Sequence, residues 1–450
     1  MSATMIESLS IYILTFNCAR NLVDVDRFAR HFFDALPPTD NPSSSPSPDL
    51  IVLSLQEIAP IAYAFLGGSF LTPYITALDQ VVYRAVAQRW KCNYVNVATD
   101  NVGMTGLMVF ARSDVAERIS SINTARAGFG VQQMGNKGAV GARLAFATDT
   151  SPGDTVHLTF IAAHLAPAED AVEQRNKDWR SMVERLVFNY ETTVFQENDE
   201  VGVDTESTAL LQRHTSIQRN ENRGIFDPTS YLFLAGDLNY RTSNFSPREA
   251  DQARFPQANV EPTSPRHYLH LLEEDQLTRE MKQFRSFHGL SEAPITFSPT
   301  YKYTYAAQQA ARAGTLDAGL QEGLWTSTRW PSWCDRILYL ETPPGMGEGA
   351  RVKPLRYDSL PLFPTSDHRA VALWASVTLA LQEPEDTTPP FTPYPIDPGW
   401  ERKRDTARKK ELAVGCLAYM TLTWEGNGVL VASVITFLAA WLVLRSLLNV

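Results

Sequence analysis

Polar residues that could hydrolyse a phosphate ester stand at the ends of six hydrophobic segments in this chain. Asp237 and Asn239 follow one such segment, residues 231–235, while Asp367 and His368 precede another. Because Asp237 and Asn239 are two positions apart, both side chains point to the same side of an extended chain. A carboxylate beside an amide suits a base for water next to a group that holds a phosphate or metal-bound oxygen. The pair predicts metal-assisted phosphoester hydrolysis.

The other four segments carry polar ends of the same kind. Residues 11–16 end in Asn17, 49–55 lead to Glu57, 156–163 lead to His164, and 337–340 follow Asp335 and Arg336. All have strand length and β-branched or aromatic content, which favours strand over buried helix. One polar residue at a strand end is usually an ordinary cap. Six such ends in one chain indicate a site built at the mouth of a sheet.

Glu57 is the best candidate for a metal ligand, and Asn17 could supply a neutral oxygen beside it. A hard cation such as Mg²⁺ takes one or two carboxylates, keeps several waters and accepts phosphate oxygens in its remaining positions. The sequence therefore predicts Mg²⁺ as cofactor.

His164 and His368 are candidates to contact the phosphoryl oxygens, where negative charge builds up during hydrolysis. Asp367 directly precedes His368 and cannot easily share its face. Asp335 is therefore the predicted partner that orients the imidazole.

Cations and aromatic rings gather near the predicted strand ends. Tyr301 and Lys302 lie in a proline-containing loop, and Lys137, Arg329 and Arg336 stand near other candidate ends. Such a set fits a substrate with more than one phosphate, since each phosphate needs its own donors. A solvated surface loop fits the composition equally well.

Composition limits the classes of protein that fit. With 450 residues, 44% of them apolar, the chain can form one large domain with appendages, or two domains. The net charge of −10 argues against broad nucleic-acid binding, so no nucleic-acid partner is predicted. Four cysteines without metal spacing favour a reducing compartment, and the N-terminus lacks the regions of a signal peptide.

The order of the elements predicts an α/β fold. Strands and helices mix without regular alternation and without a glycine-rich dinucleotide turn. We therefore expect a four-layer α/β sandwich with two central β-sheets over residues 8–380. Residues 381–411, first proline-rich and then basic, are predicted to be a linker.

The C-terminal residues predict a membrane anchor. Residues 426–444 carry no charge and approach the length that spans a bilayer, so we expect a transmembrane tail anchor over 426–448. The basic cluster upstream predicts a cytosolic body, with the endoplasmic reticulum as the expected membrane. Residues 412–424 are too short to span; they would lie along the interface or form one arm of a re-entrant hairpin.

Nine short segments together resemble the Mg²⁺-dependent inositol polyphosphate 5-phosphatases of the endonuclease/exonuclease/phosphatase superfamily. They occur in the family's order at 16–17, 56–57, 135–140, 164–165, 175–178, 236–241 (GDLNYR), 299–303 (PTYKY), 331–336 (PSWCDR) and 366–368. The resemblance covers about residues 10 to 375. The PTYKY and PSWCDR segments separate these phosphatases from nucleases and sphingomyelinases that share the scaffold.

The resemblance implies a function and a set of roles. The activity would be removal of the 5-phosphate of phosphatidylinositol 4,5-bisphosphate, with the 3,4,5-trisphosphate and soluble inositol polyphosphates as further substrates. In the implied catalytic centre, Glu57 and Asn17 would bind Mg²⁺, Asp237 would activate water and Asp367 would lie near the metal. The scissile phosphate would be bound by Asn239, His164 and His368. The 4-phosphate would be contacted by Tyr301, Lys302 and Arg329, and the inositol and its 1-phosphate side by Asn136 and Lys137.

Two departures from the family pattern concern substrate grip. Ala168 ends a motif in which many members carry a second histidine, and Ser327 replaces a lysine two positions before Arg329. The second change predicts a weaker hold on the 4-phosphate.

The tail anchor makes the architecture most similar to the yeast-type 5-phosphatase of the endoplasmic reticulum, and we expect a monomer. The alternatives are a nuclease or sphingomyelinase on the same scaffold, or an inactive tether that binds phosphoinositides.

Overall fold

The structure is a computed structural model that describes residues 7–37, 46–148, 155–195, 216–257, 260–316, 323–346, 349–379 and 392–448. The first part of the predicted linker, up to residue 391, lies outside the described residues. The described strands are, in chain order, β1 (Glu7–Asn17), β2 (Leu50–Gln56), β3 (Tyr94–Val102), β4 (Thr105–Arg112), β5 (Ile119–Gly128), β6 (Gly138–Ala147), β7 (Thr155–His164), β8 (Phe188–Phe195), β9 (Ser216–Arg223), β10 (Ser230–Asp237), β11 (Ser291–Glu292), β12 (Asp335–Tyr339), β13 (Arg351–Leu362) and β14 (Arg369–Leu379). The described α-helices are α1 (Val25–His31), α2 (Ile61–Leu66), α3 (Thr72–Arg89), α4 (Ser113–Ala116), α5 (Val172–Arg185), α6 (Leu269–Leu272), α7 (Gln276–Lys282), α8 (Tyr305–Ala313), α9 (Trp400–Leu422) and α10 (Trp424–Leu447).

Two six-stranded sheets form the centre of the molecule. One has the order β13-β14-β1-β2-β4-β3 and the other β11-β12-β10-β7-β6-β5. In each sheet one pair of central strands is parallel, β1 with β2 and β10 with β7. Every residue of β2 and β10 is buried, as expected for strands covered on both faces.

Side chains alternate between two kinds of core, which gives the fold four layers. Ile13 of the first sheet and Phe160 of the second belong to one cluster between the sheets. On the outer face of the first sheet, Leu14 packs in a cluster with α1 and α3; on the outer face of the second, Ile161 packs in a cluster with α5. The predicted α/β sandwich with two central sheets is confirmed.

The two sheets present their polar strand ends at one edge of the molecule. In the first sheet Asn17 is in register with Gln56, and in the second Asp237 is in register with both His164 and Asp335. Ser54 Oγ donates to the carbonyl of Ala235 at 2.7 Å, a hydrogen bond between the sheets just below this edge. Because the strand backbones are held from both sides, the side chains at their ends have a rigid support.

The C-terminal helices continue from the sandwich. Helix α9 covers the basic end of the predicted linker and most of residues 412–424, and it packs on α2. Arg408 donates to the carbonyls of Phe65 and Leu66, and Gly415 lies against Phe65. Helix α10 is long and apolar enough to cross a membrane, and its apolar residues are not buried in the structure, which is consistent with membrane anchoring.

Candidate active site

Asp237 is the centre of a buried group of polar side chains at the common strand edge. Its Oδ2 lies 3.2 Å from His164 Nε2 and 3.9 Å from His368 Nε2, and it accepts a hydrogen bond from Asn17 Nδ2 at 3.0 Å. Burial raises the pKa of Asp237, but His164, His368 and Lys137 outweigh this and hold it well below its usual range. Asp237 is therefore ionised at neutral pH and can orient a water.

His368 is held as a cation between carboxylates. Its Nδ1 lies 2.9 Å from Asp335 Oδ2, an oxygen that also accepts from Thr300 Oγ1 at 2.6 Å. Burial lowers the pKa of His368, but Asp335, Asp237 and Asp367 raise it to about 9. The structure therefore places Asp335 where the sequence predicted the orienting partner, and it makes His368 an imidazolium suited to phosphoryl oxygens.

His164 differs from His368 in charge. Lys137 Nζ lies 2.5 Å from His164 Nε2, and burial together with this ammonium group lowers the pKa of His164. His164 is accordingly neutral at neutral pH. The two histidines therefore present one cation and one neutral ring to the same carboxylate.

The turn after β10 orients Asn239. Its backbone N–H donates to Asp237 Oδ1 at 3.1 Å, and its Nδ2 donates to the carbonyl of Leu165 at 3.1 Å. Arg241 Nη2 donates to Asn239 Oδ1 at 2.5 Å, and the guanidinium lies 4.4 Å from the centroid of the Tyr301 ring. Asn239 thus has a fixed orientation beside Asp237, but it lies in a turn with a φ of 57° and not in the extended segment that the two-residue spacing had assumed.

Glu57 stands at the mouth of the site with its carboxylate partly open. Arg20 Nε lies 3.1 Å from Oε2 and Lys137 Nζ lies 3.9 Å from Oε1, while the side chain is 24% exposed. A carboxylate with access to water is the ligand that Mg²⁺ uses in phosphate enzymes. Asn17 lies close by, but its Oδ1 accepts a hydrogen bond from the Ala19 N–H at 2.9 Å. The main contact of the Asn17 side chain within the site is therefore the hydrogen bond that its Nδ2 donates to Asp237.

A second group of ligand atoms in the described residues comes from Asp237, Asp335 and His368. The imidazole of His368 already bridges the two carboxylates, with Nδ1 bound to Asp335 and Nε2 facing Asp237. The partly exposed carboxylate of Glu57 therefore fits a hard cation better than the enclosed group of Asp237, Asp335 and His368 does.

The loop between β5 and β6 presents Asn136 and Lys137. The Lys137 side chain is 15% exposed and approaches both Glu57 and His164. Asn136 Oδ1 is buried and has no hydrogen-bond partner within the part of the chain that the structure describes. An acceptor in that state suits a hydroxyl donor supplied by a ligand.

Tyr301, Lys302 and Arg329 form a half-exposed rim beside His368. The Tyr301 and His368 rings lie 4.5 Å apart, Lys302 Nζ lies 2.7 Å from Asp367 Oδ2, and Arg329 Nε lies 3.6 Å from Glu169 Oε1. The structure thus brings these predicted residues to the same cleft. Asp367 lies there as the partner of Lys302.

Arg336 lies outside the cleft. Its guanidinium is fully buried, 3.0 Å from Asp275 and 2.5 Å from Glu292. Neighbouring residues of a strand point to opposite faces, so Arg336 points away from the site that Asp335 enters. This position argues against the predicted contact with substrate.

Three residues of the site were not among the sequence-based candidates. Arg20 pairs with Glu57, Thr300 donates to Asp335, and Ser366 Oγ donates to the Asn17 carbonyl at 2.7 Å. Thr300 and Ser366 lie within two of the family motifs, 299–303 and 366–368, so this position could have identified them as site residues. Arg20 follows β1 in a loop without any such signal.

The protein family and the relatives that match this chain agree with the fold and the site described above. Residues 14–374 match the model of Endonuclease/Exonuclease/phosphatase family 2. Type II inositol polyphosphate 5-phosphatase 14 of Arabidopsis thaliana is 30% identical over 305 residues, which are 64% of this chain and 24% of that protein. Polyphosphatidylinositol phosphatase INP53 of Saccharomyces cerevisiae is 27% identical over 327 residues, which are 72% of this chain and 23% of that protein. The chain is thus matched to about a quarter of the length of these relatives.

A solved structure shares the fold. The inositol polyphosphate 5-phosphatase domain of SPsynaptojanin, in complex with inositol (1,4)-bisphosphate and calcium ion, covers 90% of this chain with 90% of its own. The TM-score is 0.56 and the sequence identity is 22%. This protein therefore belongs to the class of two-sheet sandwiches that carry polar residues at the strand ends along one edge.

The chain belongs to Endonuclease/Exonuclease/phosphatase family 2. The resemblance to the inositol polyphosphate 5-phosphatases that the motifs indicated is confirmed by these relatives.

Proposed function

We propose that this protein is a Mg²⁺-dependent phosphoric monoester hydrolase that removes the 5-phosphate of phosphatidylinositol 4,5-bisphosphate. The observation that carries the proposal is the ionised Asp237 held beside a cationic His368 and a neutral His164. A carboxylate that orients water and a cation for the phosphoryl oxygens then meet at one point. The choice of the 5-phosphate as the one removed is taken from the names of the relatives, which are inositol polyphosphate 5-phosphatases.

The chemistry divides among residues of the cleft. Asp237 accepts a hydrogen bond from water and orients it toward phosphorus, and Asn239 and His164 hold the phosphoryl group. His368 offers an N–H and a positive charge where negative charge increases during in-line attack. Mg²⁺ bound at Glu57 would polarise the phosphate and stabilise the leaving oxygen. The chemistry needs no covalent phosphoenzyme, because water itself attacks.

The substrate class follows from the cations around the cleft. Lys302 and Arg329 lie on one side of His368, and their side chains are 37% and 38% exposed. We assign them, with Tyr301, to a neighbouring phosphate. Lys137 and Asn136 lie on another side and would meet the inositol ring. Several separate donors suit a headgroup with more than one phosphate.

The remaining proposals concern location and organisation. We propose a catalytic domain over residues 8–380, a connecting segment over 381–411, and a tail anchor over 426–448 in the endoplasmic reticulum membrane with the body in the cytosol. The exposed apolar surface of α10 supports the anchor. We further propose that the protein acts as a monomer.

The test is phosphate release by the full-length protein in lipid nanodiscs, with Mg²⁺ and with EDTA. Phosphatidylinositol 4,5-bisphosphate, the 3,4,5-trisphosphate and soluble inositol 1,4,5-trisphosphate would be compared with sphingomyelin and abasic DNA. We expect Mg²⁺-dependent release with phosphatidylinositol 4-phosphate as product. Cleavage of sphingomyelin or DNA alone would replace the proposal by one of those activities. Metal-independent lipid binding without phosphate release would make the protein a tether.

A further inference from the structure

The first half of helix α9 is largely exposed and rich in arginine and lysine, and Glu411 is its one buried acid. Glu411 is 3% exposed, whereas Arg404 and Arg408 nearby are more than 40% exposed. A carboxylate is rarely buried unless partners satisfy its oxygens. The partners of Glu411 therefore indicate what this helix does.

The two oxygens of Glu411 join the helix to the loop that presents Asn136 and Lys137. Oε1 accepts a hydrogen bond from the backbone N–H of Gly135 at 2.8 Å, and Oε2 lies 3.1 Å from Arg408 Nη1. Gly135 directly precedes the two site residues. One side chain thus connects the helix that leads to α10 with one wall of the cleft.

The loop is closely packed at Gly135 on its other side as well. The Gly135 carbonyl accepts from Met104 N–H at 2.9 Å. A Cβ atom at Gly103 would lie 2.3 Å from that carbonyl oxygen, so the two backbones can approach only because both residues are glycine. Gly135 is therefore held between the β3–β4 turn and Glu411.

Helix α9 is itself anchored to the body at both ends. At its start, Trp400 is buried and the Asp397 N–H donates to the carbonyl of Glu184 in α5 at 2.8 Å. At its end, the Tyr419 ring lies 5.3 Å from Phe70. The position of Glu411 is accordingly set by contacts on both sides of it.

General attraction between charges does not account for this docking. The cations that line the cavity of about 540 Å³ under α9 are largely paired, Arg126 with Asp100, Lys403 with Asp397 and Arg404 with Asp405. Packing at its two ends and directed hydrogen bonds, including that of Glu411, therefore determine how the helix sits.

We propose that Glu411 is a positioning residue for substrate binding, which acts by holding the Asn136–Lys137 loop against the cleft. The proposal rests on the proposed phosphatase function. Asn136 would contact the inositol ring, which does not react, while Lys137 also lies against His164 and Glu57. Loosening the loop without removing Lys137 should mainly weaken substrate binding, so KM should rise by a larger factor than kcat falls.

The test uses the full-length protein in detergent micelles with soluble inositol 1,4,5-trisphosphate, so that altered membrane docking cannot affect the result. Glu411→Ala removes the acceptor, and Glu411→Asp keeps the charge but withdraws it by one methylene. We expect both variants to raise KM about tenfold, the usual scale for losing a hydrogen bond to a charged group. Glu411→Gln keeps an oxygen for Gly135 and should restore KM. Asp405→Ala, an exposed acid on the same helix, should match the wild type.

Amide hydrogen exchange of residues 129–137 provides a readout that needs no activity. Exchange in this loop should increase in Glu411→Ala and Glu411→Asp and return to the wild-type rate in Glu411→Gln. Unchanged KM and exchange in Glu411→Asp, or a Glu411→Gln variant as impaired as Glu411→Ala, would overturn the inference. A wild-type protein without activity would instead refute the proposed function, and the exchange data would still test the loop contact.

Discussion

The pair formed by Asp335 and His368 predicts a specific change in the pH dependence of hydrolysis. Replacing Asp335 with asparagine removes the charge that lies 2.9 Å from His368 Nδ1. Among the effects that raise the pKa of His368 to about 9, those of Asp335 are the largest. In the variant, burial lowers the pKa of His368 while only Asp237 and Asp367 still raise it, and we expect it to fall to about its ordinary 6.5.

The size of the effect follows from the fraction of His368 that is protonated. With a pKa of about 9, about 97% of His368 carries a proton at pH 7.5. With a pKa of about 6.5, the fraction is about one tenth. If the imidazolium binds the phosphoryl oxygens, Asp335→Asn should lower kcat/KM at pH 7.5 about tenfold through protonation alone. Acidification to about pH 5.5 should recover most of that loss, since His368 is again protonated there.

The assay is the pH profile of kcat/KM for wild type and variant at saturating Mg²⁺. The wild-type rate should fall as pH rises through about 9, and that of Asp335→Asn should fall from about 6.5. Thr300→Val is the matched control, because it removes a hydrogen bond that a neutral hydroxyl donates to the same Asp335 oxygen and leaves the charge pair. An alkaline limb that does not move, or an equal loss at every pH, would refute the role of His368 as a cation.

Three further predictions concern the metal, the water and the core. Glu57→Gln should raise the Mg²⁺ concentration needed for half-maximal activity at least about tenfold with little change in Tm, and an unchanged Mg²⁺ titration would place the metal elsewhere. Asp237→Asn should lower kcat by about 10² to 10⁴-fold with a similar KM in steady-state kinetics, whereas near-normal turnover would end its assignment to the attacking water. Arg336→Met should leave Asp275 and Glu292 buried without a counter-charge and lower the free energy of unfolding by about 3–5 kcal/mol. Denaturant titration would measure that loss, and a KM effect without it would return Arg336 to the substrate site.

Much of the fold could be predicted from the sequence because the relevant signals are local. The six segments with polar ends appear in the structure as β1, β2, β7, β10, β12 and β14. Length and β-branched content identify such strands without knowledge of their neighbours. The two-residue spacing of Asp237 and Asn239 is a weaker signal, because β10 ends at Asp237 and Asn239 lies in a turn with a φ of 57°.

Which polar groups meet depends on contacts between distant parts of the chain. Asn17 reaches Asp237 across 220 positions, and Gly135 meets Glu411 across 276. Strand alternation places Asp335 and Arg336 on opposite faces, but the sequence does not say which of the two enters the cleft. Only the pairing of β12 with β10 decides that one enters the cleft and the other faces Asp275.

The sequence by itself therefore determined the six strands that carry the site, the chemical types at their ends and the apolar C-terminal helix, since each depends on near neighbours. The tertiary structure decided the charges of the two histidines, the partner of Asn17, the burial of Arg336 and the docking of α9 on the loop beside the cleft. The physical reason is that burial and pairing set pKa values and hydrogen bonds, and both arise only when the two sheets pack together.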